Sequence, residues 1–360
     1  MNRKRLLGVL LGLGLLVDVA VFGVRDNVCT RRRIGDNLCP ELFFIGVQKA
    51  GSSALWVFLA FHRSLNIRMA DGLTDPTWRR KEPHFFDVEF SNGLEWYSGG
   101  YGVRNTSEDL GIDATPDYSS TSYVPPRMLN TVDPERVRFI ISFRDPAARA
   151  YSWYKHIHAQ FLTVESRERE FKNFDYRYSL MAKYVPSVIV DCINQQDGPQ
   201  QVLKQCTTRN AQFYKDVSVE IEENSMVSRD ISLVQQIFSH GLYAPMLLHW
   251  FKYFSPESFC VIIYEQLAND FKREVQHIAP CLAAFGRTLE VDPDEKLSEV
   301  NSQPCEDCEK LERLSLDDKT YIGNKLHTEL YVDSSRMLRR LVLHLYGRDD
   351  LPVWEDYYHT

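Results

Sequence analysis

The stretch LFFIGVQKAGSS at residues 42–53 decides the fold. Its first half, Leu42–Val47, is a short continuous apolar run, which is typical of a strand buried on both faces of a parallel sheet. Residues 48–53 predict a loop and residues 54–62 a helix. Gly51 lets the backbone approach an anion closely, the first N–H groups of the helix point at it, and Lys49 and two serines add donors. We predict a phosphate-binding loop, which is not a Walker A loop because it lacks Gly-Lys before the serine.

A second unit of the same kind follows. Residues 137–143 predict a strand, 144–146 a turn and 147–158 a helix. Arg144 lies at the carboxyl end of that strand, where open α/β sheets bind ligands. Ser152 lies two turns into the helix, so that its hydroxyl could share an anion with the Arg144 guanidinium. The alternative is a structural Arg144–Asp145 pair with Ser152 merely exposed.

A third strand is predicted at residues 259–264. Strands alternating with helices predict an α/β domain in which helices flank a central parallel sheet. Residues 160–240 are richer in polar and helical segments, which we expect to cover the sheet or border a substrate cleft.

The composition excludes several classes of protein. The chain has 360 residues, 44% of them hydrophobic, and a net charge of −7. This balance excludes a disordered, collagen-like or wholly membrane-embedded protein. The acidic excess argues against nucleic acid as a partner, because phosphate backbones need a broad positive surface. It leaves room for a local basic pocket.

The N-terminus carries an apolar run, Leu6–Val24, interrupted by Asp18 and preceded by three basic residues. Its length nearly spans a bilayer core of roughly 30 Å, and the preceding charges favour a cytoplasmic N-terminus. We therefore predict a type II signal anchor, with a cleaved signal peptide as the alternative. The organisation is a tail at 1–5, a transmembrane helix at 6–24, a short stem at 25–40 and one domain at 41–360.

The cysteines agree with an oxidising, lumenal compartment. There are eight of them, namely Cys29, Cys39, Cys192, Cys206, Cys260, Cys281, Cys305 and Cys308. Their pairing does not follow from sequence, although Cys192 and Cys206 flank a polar stretch that a disulfide would close. Cys305 and Cys308 are structural cysteines on this interpretation, since no second metal-binding pair accompanies them. Asn105 begins an N-x-[ST] sequon, which predicts a lumenal glycosylation site.

The two predicted units, FIGVQKAGSSAL at 44–55 and RDPAARAYSWY at 144–154, together resemble the sulfotransferase family. The donor in that family is 3′-phosphoadenosine-5′-phosphosulfate (PAPS). Further segments resemble its Golgi carbohydrate branch, the heparan sulfate 3-O- and N-sulfotransferases. They are KEPHFFD at 81–87, GLEWY at 93–97, GLYAPMLLHWF at 241–251 and LPVW at 351–354. The resemblance implies a P-loop-like sulfotransferase fold.

The resemblance also implies roles for the donor-binding residues. The 5′-phosphosulfate loop would be Lys49, Ala50, Gly51, Ser52 and Ser53, with Lys49 neutralising the leaving oxygen. Arg144 and Ser152 would hold the 3′-phosphate. Lys325 is a candidate for a basic loop that closes over the donor, because the Lys-Gly-Arg pattern of the branch is missing. The branch also ties this region with a disulfide, for which Cys281 would pair with Cys305 or Cys308.

The general base implied by the resemblance is Glu82, with His84 and Asp87 in supporting positions. The alternatives are a solvated Lys81–Glu82 ion pair and a His84 packed in the core. Residues 113–118 (DATPDY) resemble a substrate-side segment of the branch, but Ala114 stands where the branch has a lysine. Either another cation substitutes, or the acceptor differs.

The function implied is sulfuryl transfer from PAPS to a hydroxyl or amine, preferably of a carbohydrate, without a metal. The enzyme would be a type II Golgi membrane protein with a lumenal catalytic domain. The alternatives are a P-loop nucleotide kinase or NTPase and a catalytically decayed lumenal glycan-binding protein. The missing Walker lysine argues against the first, and the intact donor residues argue against the second.

Overall fold

The computed structural model of the chain describes Cys29 and residues 33–73, 77–103, 106, 108–160, 240–291 and 326–358. Several predictions lie outside these residues. They are the Leu6–Val24 helix, the Asn105 sequon, the middle section from 161 to 239, the cysteines at 192, 206, 305 and 308, and Lys325. None of the helices described is long and apolar enough to cross a membrane.

The described part alternates strands and helices, as predicted. The strands are β1 (Arg33–Ile34), β2 (Asn37–Leu38), β3 (Pro40–Gly46), β4 (Ile67–Arg68), β5 (Leu110–Asp113), β6 (Arg138–Phe143) and β7 (Phe259–Ile263). The α-helices are α1 (Ser52–Phe61), α2 (Gly93–Tyr101), α3 (Val124–Leu129), α4 (Pro146–Gln160), α5 (Tyr243–Trp250), α6 (Tyr264–Asn269), α7 (Phe271–Val275), α8 (Ala279–Ala283) and α9 (Val332–Tyr346). Short 3₁₀ turns lie at Thr77–Arg80, Phe90–Asn92, Pro116–Ser120, Pro256–Ser258, Gln276–Ile278 and Trp354–Tyr358, and a π-helical turn at His327–Tyr331 precedes α9.

Five of these strands form one parallel sheet in the order β4-β5-β3-β6-β7. Strands β4 and β5, which follow the central strand β3 in the chain, lie on one side of it, and the later strands β6 and β7 lie on the other. The strand order therefore reverses beside β3. In open α/β sheets a crevice forms at such a reversal, outside the carboxyl ends of the strands.

Both faces of the sheet are covered, which explains the continuous apolar runs. Alternate residues of β3 enter different cores: Phe43 and Ile45 join one apolar cluster, and Leu42 and Phe44 join the other. The first cluster includes residues of α5 and α9, and the second includes residues of α1 and α8. Every residue of β3 is buried, so the prediction of a two-sided parallel strand is confirmed.

Most element boundaries differ from the prediction by one or two residues, and two of the differences bear on the site. Helix α1 begins at Ser52 rather than at Ala54, so both serines lie in its first turn. Tyr264 begins α6 instead of ending β7. In both cases the helix starts immediately where the strand or loop ends, which apolar periodicity does not resolve.

Part of the predicted stem contacts the domain. Strands β1 and β2 form a small antiparallel hairpin next to α2. A disulfide joins Cys29 to Cys39, and the Cys29 N–H donates to the Thr131 carbonyl at 2.8 Å. Cys29 and the β1–β2 hairpin are therefore held against the sheet domain.

A second disulfide joins Cys260 of β7 to Cys281 of α8. The expectation that Cys281 pairs with Cys305 or Cys308 is wrong for this reason. The observed bond instead fixes a short helix onto an edge strand of the sheet, across a sequence separation of 21 residues.

Candidate functional site

The loop between β3 and α1 is held by its neighbour strand β6. The Val47 N–H donates to the Ser142 carbonyl at 2.9 Å, and the Ser142 hydroxyl donates to the Ala50 carbonyl at 2.8 Å. Lys49 and Gly51 both have positive φ, 67° and 81°. This backbone carries the loop over the carboxyl end of the sheet and delivers it to the N-terminus of the ten-residue helix α1. The free N–H groups and positive dipole end of a helix favour an anion there.

Arg144, directly after β6, belongs to the same structure. Its Nη1 donates to the Lys49 carbonyl at 2.8 Å, and its guanidinium lies 4.4 Å from the ring centre of Tyr264. A Cβ at Gly51 would come within 3.0 Å of that same ring. Glycine is therefore needed at position 51 for both its backbone conformation and its size.

Asp145 does not serve as the structural partner that the alternative interpretation gives to Arg144. Its Oδ1 accepts the Ala147 N–H at 2.9 Å and so caps the first turn of α4. The same oxygen lies 2.8 Å from His327 Nε2, and the Asp145 N–H donates to Glu265. Arg144 is directed at the loop, while Asp145 anchors the helix.

Helix α4 carries Ser152 and His156, of which His156 interacts electrostatically with Lys49 and Glu82. Ser152 is half-buried in its second turn. Burial and then the positive charge of Lys49 lower the pKa of His156 to about 4, while the charge of Glu82 acts in the opposite direction. His156 is a site residue that sequence reasoning missed. Its position four residues after Ser152, on the same helix face, is the signal that could have found it.

The segment after the Thr77–Arg80 turn places a cation and a carboxylate beside the loop. Lys81 Nζ lies 2.9 Å from Ser53 Oγ, 3.5 Å from Ser52 Oγ and 2.5 Å from Glu82 Oε1. Burial alone would raise the pKa of Glu82, but the charge of Lys81 and a hydrogen bond with His84 lower it to about 2. The Lys81–Glu82 pair is thus real, but it is half-buried at the loop rather than solvated.

His84 links Glu82 to two aspartates. Its Nδ1 lies 2.7 Å from Asp87 Oδ2, and its Nε2 lies 3.6 Å from Glu82 Oε2 and 3.9 Å from Asp117 Oδ2. Burial would lower the pKa of His84, but the hydrogen bonds with Asp87 and Glu82 raise it well above its usual value. His84 therefore lies among carboxylates, which favour its protonated form, and is not an apolar core residue.

Asp117 and Gln48 extend this network, and sequence reasoning missed both. The Gln48 amide donates to Asp117 Oδ1, while its Oε1 lies 3.1 Å from His240 Nδ1. Burial raises the pKa of Asp117 to about 7, although the positive charge of His84 opposes this. Gln48 therefore connects the loop between β3 and α1 to the Pro116–Ser120 turn after β5.

Behind the site, Asp113 organises a buried polar cluster at the end of β5. It accepts hydrogen bonds from the Tyr97 hydroxyl at 2.6 Å, the Tyr118 hydroxyl at 2.9 Å and the Thr115 hydroxyl at 2.7 Å. Ala114 points the other way, fully buried in the apolar cluster that includes residues of α1. The turn at 113–118 is thus rigid, and position 114 contributes no polar group to the site.

His84, Asp87 and Asp117 have potential ligand atoms within 4.8 Å of one another, a spacing that a metal could use. The same side chains also bond to one another and to a neighbour: His84 Nδ1 lies 2.7 Å from Asp87 Oδ2, and Asp117 accepts from the Gln48 amide.

The structure therefore brings Lys49, Ala50, Gly51, Ser52 and Ser53 together with Arg144, on one edge of the sheet. It places Glu82, His84 and Asp87 next to them through Lys81. Chemically, a loop of the kind that binds anions lies beside a carboxylate that could accept a proton. Ser152 is half-buried in α4, and Lys325 is outside the described residues.

Similar proteins carry the same kind of domain. Bifunctional heparan sulfate N-deacetylase/N-sulfotransferase 4 of Mus musculus is 29% identical over 131 residues, 36% of this chain and 14% of the relative. Heparan sulfate glucosamine 3-O-sulfotransferase 6 of Homo sapiens is 25% identical over 239 residues, 66% of this chain and 51% of the relative. The chain thus matches only part of the length of these relatives.

Among solved structures, a sulfotransferase from Alicyclobacillus acidocaldarius aligns with a TM-score of 0.46 at 19% identity, covering 88% of this chain and 98% of that chain. A family model described as a sulfotransferase domain matches residues 40–283. Since that match covers well over half of the chain, the protein belongs to the sulfotransferase domain family.

Proposed function

We propose that the protein transfers the sulfuryl group of PAPS to a hydroxyl or amine of a carbohydrate acceptor. The observation that carries the proposal is the contact between the two halves of the site. Lys81 Nζ touches Ser53 in the anion loop at 2.9 Å and the carboxylate of Glu82 at 2.5 Å. The sulfuryl donor in the loop and the Glu82 carboxylate that accepts the proton would therefore lie next to each other, on either side of Lys81.

The residues present suit such a donor. The loop offers a helix N-terminus, the Lys49 ammonium and two hydroxyls, and Gly51 supplies the positive φ with which the loop enters the helix. Arg144 and Ser152 would receive the 3′-phosphate, for which a guanidinium fork is well suited. PAPS supplies an activated sulfuryl group on a phosphate leaving oxygen.

The acceptor oxygen or nitrogen forms a bond to sulfur as the bond from sulfur to the 5′-phosphate oxygen breaks, and Glu82 takes the acceptor proton. Lys49 neutralises the charge that develops on the leaving oxygen. His84, held by Asp87, orients Glu82 and stabilises its ionised form. Positioning and electrostatics supply the catalysis, as in phosphoryl transfer.

The carbohydrate acceptor is proposed from the relatives, whose names specify heparan sulfate sulfotransferases. The Golgi lumen and the type II membrane anchor remain part of the proposal, together with glycosylation at Asn105. The disulfides at Cys29–Cys39 and Cys260–Cys281 support an oxidising compartment.

The test uses the purified full chain. Calorimetry should detect binding of adenosine 3′,5′-bisphosphate (PAP), and labelled PAPS should pass its label to members of a panel of glycans and amino sugars. Glu82→Gln should keep PAP affinity within about twofold and lower transfer at least about 100-fold, the range expected for loss of a general base. Lys49→Ala should weaken donor use. The control is Glu95→Gln, since Glu95 is exposed on α2.

Three outcomes would each contradict one part of the proposal. If the wild-type chain binds no PAP, the donor assignment is wrong, and magnesium-dependent ATP turnover would then favour the NTPase alternative. If Glu82→Gln lowers affinity and transfer equally, Glu82 has a structural role. PAP binding without transfer to any acceptor would favour the decayed glycan-binding protein.

A further inference from the structure

The ammonium group of Lys81 lies between two parts of the site. One is the loop that follows β3, and the other is the base cluster, by which we mean Glu82, His84, Asp87 and Asp117. The Lys81 side chain is only 12% exposed. An ammonium has three N–H donors, and Lys81 has three oxygen neighbours within 3.5 Å, on Ser52, Ser53 and Glu82. Withdrawing an ammonium from water is costly unless it is paired. One carboxylate and two hydroxyls supply that pairing here.

Lys81 is held by one backbone contact and one side-chain contact, on opposite sides of the site. The Ala114 N–H donates to the Lys81 carbonyl at 3.0 Å, which ties the segment to the end of β5. Its ammonium reaches the first turn of α1 on the other side. Position 114 itself is directed into the apolar core. Lys81 thus brings a positive charge to the edge of the sheet from the segment that follows the Thr77–Arg80 turn.

The hydroxyls that Lys81 touches lie at the same helix N-terminus that would receive the donor. An anionic group bound by the first turn of α1 would therefore come within reach of the Lys81 ammonium as well as that of Lys49. Ser52 and Ser53 are neutral, so exchange of these contacts for sulfuryl oxygens would strengthen the interaction through charge. The distant 3′-phosphate, assigned to Arg144, would not sense Lys81 directly.

We propose that Lys81 is a second cation of the donor site, which contacts the transferring sulfuryl group while Lys49 serves the leaving oxygen. This inference rests on the proposed function. It assigns recognition of the sulfuryl group, rather than of the nucleotide, to Lys81. It also joins donor and base, because the same ammonium contacts Glu82.

The test compares two ligands that differ only by the sulfuryl group, PAPS and PAP, by calorimetry with the full chain. Lys81→Met should weaken PAPS binding about tenfold and change PAP binding by less than about twofold. Lys81→Arg, which keeps the charge, should recover most of the PAPS affinity. Lys272→Met is the control, because Lys272 is exposed on α7.

A double variant separates direct contact from charge neutralisation. Without Lys81, the Glu82 carboxylate alone could repel the donor. If Lys81 contacts the sulfuryl group, Lys81→Met with Glu82→Gln should still bind PAPS about tenfold more weakly than Glu82→Gln alone. Recovery of PAPS affinity in the double variant would overturn the inference, as would an equal loss of PAP and PAPS in Lys81→Met. Failure of the wild-type chain to bind either ligand would refute the donor assignment itself.

Discussion

Replacement of Gly51 by alanine tests whether the loop geometry creates the donor site. Gly51 has φ 81°, and a Cβ there would lie 3.0 Å and 3.2 Å from two carbons of the Tyr264 ring. An L-residue in this left-handed region costs about 1–2 kcal/mol. The added methyl group must also push the ring, whose face carries the Arg144 guanidinium at 4.4 Å.

The contact between ring and guanidinium is of a kind worth about 0.5–2 kcal/mol. We therefore expect Gly51→Ala to weaken PAP binding about tenfold, which corresponds to about 1.4 kcal/mol. Chemical denaturation should also show a loss of about 2 kcal/mol in the free energy of unfolding, the sum of strain and displaced contact.

Gly286 offers a matched control. It also has positive φ, 69°, but a Cβ there would meet no atom within 4 Å. Gly286→Ala should lower the free energy of unfolding by about 1 kcal/mol from backbone strain alone, with unchanged PAP affinity. The reasoning is refuted if the two variants bind PAP equally well, because the clash with Tyr264 would then be irrelevant to the site.

Two further predictions concern stability. Arg348→Met should lower the free energy of unfolding by about 3–5 kcal/mol. The Glu274 carboxylate is 2% exposed and accepts from Arg348 Nη1 at 2.9 Å and Nη2 at 2.8 Å, so the variant leaves it buried without its guanidinium partner, although it keeps the Ile263 N–H. Arg273→Met, at an exposed position of α7 next to Glu274, should change the free energy of unfolding by less than about 0.5 kcal/mol, and similar losses for both variants in urea denaturation would contradict this prediction. Burial raises the pKa of Glu82, but Lys81 and the neighbouring imidazole lower it overall, from 4.5 to about 2, so its ionised form should contribute up to about 3 kcal/mol above pH 5 that is lost as the pH falls towards 2. Glu82→Gln should remove that part of the acid dependence, and identical slopes for both proteins between these pH values would exclude it.

The sequence by itself determined the architecture and the loop that links β3 to α1. Continuous apolar runs such as Leu42–Val47 demand burial on both faces, which only a covered parallel sheet provides. The residues of the loop are contiguous, so that Lys49, Gly51 and the serines reach one helix N-terminus wherever the strand lies. Arg144 was predictable for a similar reason, since it directly follows a strand that must end at the same edge.

The tertiary structure alone decided which distant side chains meet there. Lys81 reaches Ser53 across 28 positions, Gln48 reaches Asp117 across 69, and His240 reaches Gln48 across 192. Cys281 forms its disulfide with Cys260, 21 positions earlier, because the fold places α8 against β7. Local patterns encode the burial and conformation of a segment, but contacts such as these depend on strand order and on turns that place separate segments side by side. For this reason the arrangement of Glu82, His84, Asp87 and Asp117, and the position of the Lys81 ammonium beside Ser53, became visible only in three dimensions.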